Sequence, residues 1–120
     1  MEKEFVSYEL ALALKELGFN EPCYDNYNIY GKLWGLRLNK QVKIKGACLA
    51  PTYSQAFRFF REKYKLPSWV YTSDNEKFYY GILRDTRFLI DGNKPYETYE
   101  EAEWACLIKL IEVVILAQKK

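Results

Sequence analysis

The chain has 120 residues, with 11 Tyr, 7 Phe and 3 Trp, no histidine, three cysteines and a formal net charge of +2. That length suits one domain that buries about two-thirds of its unfolded surface without staples. Lack of histidine removes the commonest general base and zinc ligand, and the near-balanced charge means that any basic site must be local.

Ser7 ahead of Leu10, Ala13, Leu14 and Leu17, which share one helical face, predicts a capped first helix ending at Leu17. Gly18 is the expected left-handed stop, with Phe19 folding back on Leu14. Residues 20–28 read as an irregular connector. Residues 29–38 predict a strand broken near Gly31 and Gly35, and Val42 with Ile44 predicts another short strand. These glycines are not a phosphate-binding loop, because no strand–loop–helix context and no Gly-Lys-Ser/Thr accompany them.

Thr52 and Gln55 have capping-box spacing at the start of a second helix. Tyr53, Ala56, Phe57, Phe60 and Tyr64 form its apolar face. Ser54, Arg58, Arg61 and Lys65 lie on the other side, and Phe59 falls between the two. Leu66 and Pro67 end it. Three strands follow, 69–73, 77–84 and 87–90, joined by turns at Asp74-Asn75 and Asp85-Thr86. Connections that short force an antiparallel meander. On the middle strand Phe78, Tyr80 and Ile82 share one face, and Tyr79, Gly81 and Leu83 share the other. The expected sheet is covered on one side and offers aromatics on the other. Asp91-Gly92-Asn93 turns the chain toward the last helix.

Residues 98–118 predict one long helix. Thr98 and Glu101 form a second capping box, and Glu100 and Glu103 add negative charge at the positive end of the helix dipole. Apolar side chains cover far more than one stripe, so burial on most of the circumference is expected. That breadth fits a central packed helix or a self-association surface over its last turns. Lys109 and Glu112 interrupt the apolar run short of about 20 residues, so no membrane span is expected. The element order predicts an α+β fold, three helices packed on an antiparallel β-meander sheet of three to five strands.

Three segments carry a resemblance: GFNEPC at 18–23, CLAPTYSQAFRFFREKY at 48–64 and YETYEEAEWACLIKLIEVV at 96–114. They resemble a group of small bacterial proteins, often associated with phages or other mobile elements, that has no assigned function. The resemblance implies a phage-related context and nothing about catalysis. It does not extend to the strands at 29–47 and 68–94.

Few residues suggest catalysis. Cys48, near the expected start of the second helix, is the one candidate nucleophile, and without histidine its base would have to be Glu, Asp, Lys or Tyr. Glu100, Glu101 and Glu103 are explained by the helix dipole. Cys23, Cys48 and Cys106 have no metal-site spacing and read as reduced thiols of a cytoplasmic protein. The expectation is a protein that is not an enzyme and uses no cofactor or metal. Its partner is another protein or a second copy in a homodimer. Phe59, Val113, Val114, Ile115 and Leu116 are the candidate contact residues. The alternative is single-stranded nucleic-acid binding, with Arg58, Arg61, Lys65, Arg84 and Arg87 as cations and Trp69, Tyr71 and Tyr79 as stacking surfaces.

Overall fold

A computed structural model describes residues 4–119 except 74, 85–87 and 92–93. The expected turn residues Asp74, Asp85, Thr86, Gly92 and Asn93, and the candidate Arg87, lie outside the described residues. The elements run α1 (Tyr8–Glu16), β1 (Asp25–Tyr27), β2 (Cys48–Ala50), α2 (Tyr53–Lys63), β3 (Ser68–Thr72), β4 (Phe78–Arg84), β5 (Phe88–Asp91) and α3 (Tyr99–Gln118). The fold is α+β with three helices, as expected. The single sheet is not what forms. The described strands divide into a β1–β2 pair and a separate antiparallel β3–β4–β5 sheet. The chain separates into two compact units, 1–56 and 57–120, and α2 runs across that boundary.

In the first unit α1 ends as its sequence predicts. Gly18 has φ +98, the Phe19 amide donates to the Leu14 carbonyl at 2.9 Å and the Gly18 amide to Lys15 at 3.1 Å. This is the paired hydrogen bonding of a Schellman ending, and Phe19 is buried. The start differs, since Ser7 is extended but its side chain makes no capping bond. Ala11, Leu14 and Leu17 form the buried face.

The expected strands at 29–38 and 42–44 are absent. Instead Asp25, Asn26 and Tyr27 pair with Ala50, Leu49 and Cys48. The ladder contacts of the intervening residues with this core, among the described residues, are the isolated bridges of Cys23 to Leu38 and Tyr27 to Leu33. Side chains do the work of a ladder here. One Asp25 carboxylate oxygen accepts from the amides of Trp34 (3.1 Å), Gly35 (2.7 Å) and Leu36 (3.3 Å). The Asn28 side-chain oxygen accepts from the Tyr30 and Lys32 amides at 2.9 and 3.1 Å. Gln41 donates to the Phe19 carbonyl at 3.0 Å and accepts from the Leu49 amide at 3.0 Å. Tyr8 and Lys15 donate to the carbonyls of Gly46 (2.7 Å) and Ala47 (2.8 Å). A loop with few backbone partners is held by such bonds or by water.

In the second unit β4 is the central strand, with Trp69 opposite Gly81 and Tyr71 opposite Tyr79 on one side and Ile82 opposite Ile90 on the other. Beyond β5, Tyr96 exchanges both backbone hydrogen bonds with Phe78 at 2.9 Å. Thr98 caps α3 by accepting from the Glu101 amide at 3.1 Å. Ala102, Cys106, Leu107, Leu110, Ile111 and Val114 are its buried residues. They form one stripe at three- and four-residue spacing, so the expectation of burial around most of the helix is not met. Ile82 and Tyr80 are buried on the β4 face toward α3.

Candidate interaction surfaces

Strand alternation sorts the sheet side chains. Trp69 and Tyr71 on β3 face the same way as Tyr79 and Gly81 on β4. The Tyr71 and Tyr79 rings stack with centroids 5.6 Å apart and planes 21° apart. Asn75 donates to the Tyr79 hydroxyl at 3.0 Å, which orients that ring. Trp69 and Tyr71 stay exposed. The three aromatics expected on one face are therefore together, on the face away from α3.

The cations expected beside them are not all there. Arg84 is an even position of β4, so it points to the opposite face. There it lines an open recess of about 390 Å³ with Ile90, Lys109, Val113, Leu116 and Ala117. Arg58, Arg61 and Lys65 are exposed on α2 and just past its end.

The candidate contact residues also separate. Phe59 is buried, with its ring edge-on to Phe60 at 5.3 Å and to Tyr64 at 5.6 Å. Val114 belongs to the buried stripe of α3. Val113 is half-buried, whereas Ile115 and Leu116 are exposed. Trp104, not singled out from the sequence, is 49% exposed. Trp104, Ile108 and Ile115 fall four and seven residues apart, so they line one side of the helix. α3 thus carries a buried stripe with an apolar edge along it, on which Trp104 and Ile115 are exposed and Ile108 is half-buried. Total hydropathy could not separate the two; only the helical angle of each residue does.

A further surface lies in residues 20–47, where the expected connector and strands give no sign of it. Tyr24, Ile29, Tyr30, Trp34, Leu36 and Ile44 are all exposed there. The signal available in the sequence was charge order: no Asp or Glu occurs from 26 to 61.

Thiol chemistry is not favoured at any cysteine. Cys48 lies in β2 rather than at a helix start, and burial pushes its thiol up to about 11 despite the nearby Lys15 ammonium. Burial pushes Cys23 and Cys106 up to about 12. A thiol that keeps its proton at neutral pH is a poor nucleophile and metal ligand. Burial, with the Glu100 carboxylate adding to it, raises the Glu103 carboxyl. Among the described residues no group of three or more His, Cys, Asp or Glu is placed to hold a metal ion. No helix of the described residues is long and apolar enough to cross a membrane.

Comparison with protein-family models, curated proteins and solved structures finds no match for this chain.

Proposed function

We propose that the protein is a non-enzymatic protein-interaction module that self-associates through the apolar edge of α3 on which Trp104 and Ile115 are exposed and Ile108 is half-buried. The observation that supports this reading is the exposure of Trp104 and Ile115 on a helix whose apolar stripe is already buried. Trp is among the residue types that most often anchor an interface. The raised thiols support the non-enzymatic part. The resemblance of 18–23, 48–64 and 96–114 to phage-associated proteins supports a mobile-element setting, and the reduced cysteines support a cytoplasmic one.

Sedimentation equilibrium tests the reading. The wild-type chain is expected to dimerise in the micromolar range, and Ile115→Asp is expected to be monomeric with an unchanged circular dichroism spectrum. A wild-type chain that stays monomeric at millimolar concentration rules out self-association.

A further inference from the structure

We infer that the loop over residues 29–45 is a binding site for single-stranded nucleic acid. This surface lies wholly in the first unit and is independent of the α3 stripe.

The whole-chain charge of +2 hides a strong local order. Every Asp and Glu in residues 1–61 precedes Asn26, and residues 26–56 carry Lys32, Arg37, Lys40, Lys43 and Lys45 with no acid among them. All five cations are exposed. The nearest preceding acid is already engaged, since the Asp25 carboxylate accepts from the amides of Trp34, Gly35 and Leu36. The local charge of this segment is therefore positive.

Aromatic faces are interleaved with these cations. Tyr24 is 66% exposed, Tyr30 79% and Trp34 53%. The Arg37 guanidinium sits over the Tyr24 ring, 5.2 Å from its centroid, a cation–π pair. In the same unit, an open recess of about 520 Å³ is lined by Lys15, Phe19, Asn20, Lys40, Gln41, Val42, Lys43 and Lys45 together with Gly18. No carboxylate lines it. Lys15 spends its ammonium on the Ile44 and Ala47 carbonyls, which leaves Lys40, Lys43 and Lys45 to meet phosphates.

Positive charge alone suits any polyanion. Exposed rings select among them, because an unpaired base offers a face to stack on and a duplex hides it. Preorganisation adds to this. The side-chain bonds of Asp25, Asn28 and Gln41 hold the loop before a strand arrives, so less ordering cost falls on binding.

Fluorescence anisotropy of the full chain with a labelled oligothymidylate of about 16 nucleotides tests the site. Binding is expected at about 50 mM salt and falls steeply toward about 200 mM, and a duplex of equal length competes poorly. Lys40→Gln/Lys43→Gln/Lys45→Gln is expected to weaken binding at least about tenfold and to lower the log–log salt slope by about 2. Tyr30→Ala/Trp34→Ala is expected to weaken it about tenfold with little change in slope. The two variants share no residue, so a folding failure in one leaves the other as the test. No binding at low salt, equal affinity for duplex, or wild-type affinity in a folded variant overturns the inference. So does loss of binding in Arg58→Gln/Arg61→Gln alone, which moves the site to α2. Binding to phosphatidylserine vesicles without binding to the oligonucleotide overturns it in favour of a lipid surface.

Discussion

The Trp69 indole lies across Gly81, so close that a Cβ on that glycine would stand 2.6 Å from the ring's Cζ2 and 2.7 Å from its Cε2. The two residues are directly paired across β3 and β4. Glycine in a strand interior ordinarily weakens it, and a closely approaching ring is one reason to keep it there. Gly81→Ala is expected to push the indole outward and cost about 1–3 kcal/mol. Tryptophan emission should shift to the red, and the urea midpoint should fall. An unchanged spectrum and midpoint would mean that the ring does not rest on Gly81 in solution.

Asp25 performs a comparable service for the long loop. Asp25→Ala removes the acceptor of the Gly35 and Leu36 amides, while Trp34 keeps the Asn26 carbonyl at 2.9 Å, and hydrogen bonds to a charged group are worth about 1.5–3 kcal/mol each before compensation by water. A net loss of about 2 kcal/mol is expected. Asp25→Asn keeps an acceptor oxygen, so its loss should be smaller. Hydrogen exchange at Gly35 and Leu36 should quicken most in the alanine variant. Uniform exchange across both variants would show that the carboxylate does not hold the loop.

These two relationships mark what the sequence could and could not disclose. The Schellman ending at Gly18 and Phe19 and the capping box at Thr98 and Glu101 are local, so a few residues suffice to specify them. The Thr52–Gln55 pair is the same: Gln55 donates its amide to the Thr52 hydroxyl at 3.2 Å and accepts the Thr52 amide at 3.1 Å. The β3–β4 pairing was legible because a short connection leaves only an antiparallel neighbour. β1 and β2 were not. Each has three residues, they lie 20 residues apart, and what joins them is side-chain bonding from Asp25, Asn28 and Gln41, which leaves no periodic trace. On the sheet, alternation foretold the shared face of Trp69, Tyr71 and Tyr79. The same alternation places Arg84 on the other face, away from the aromatics it was grouped with.

The thiols predict an alkaline limit to stability. An unfolded thiol loses its proton near pH 9.0, whereas burial holds Cys23 and Cys106 protonated to about 12 and Cys48 to about 11. The unfolded state therefore releases protons first as pH rises. Stability from these groups is complete below about pH 9 and falls through the window up to about pH 11–12, by about 1.4 kcal/mol per pH unit for each thiol. Tyr27, pushed up to about 12 by burial, adds to the same trend above its ordinary value of 10.0. Urea unfolding from about pH 8 to about pH 11 should show the decline, and Cys48→Ala should flatten it by about a third. A flat profile would mean that the thiols ionise in the folded protein.

α3 gives the sharpest contrast between neighbouring positions. Val114 is 3% exposed and Leu116 53% exposed, although the sequence offers both as apolar residues of the last turns. The helix turns about 200° between them, so a single buried stripe cannot hold both. Val114→Asp places an unpaired carboxylate in the packed stripe with Leu107, Leu110 and Ile111 and is expected to cost more than about 3 kcal/mol. Leu116→Asp puts the same charge in water near the negative end of the helix dipole, at a cost under about 1 kcal/mol. Urea denaturation followed by circular dichroism separates the two. Equal losses would place Leu116 in the core. Ile115 would then be the exposed large apolar side chain that the end of α3 offers a second copy, with Trp104 further up the helix.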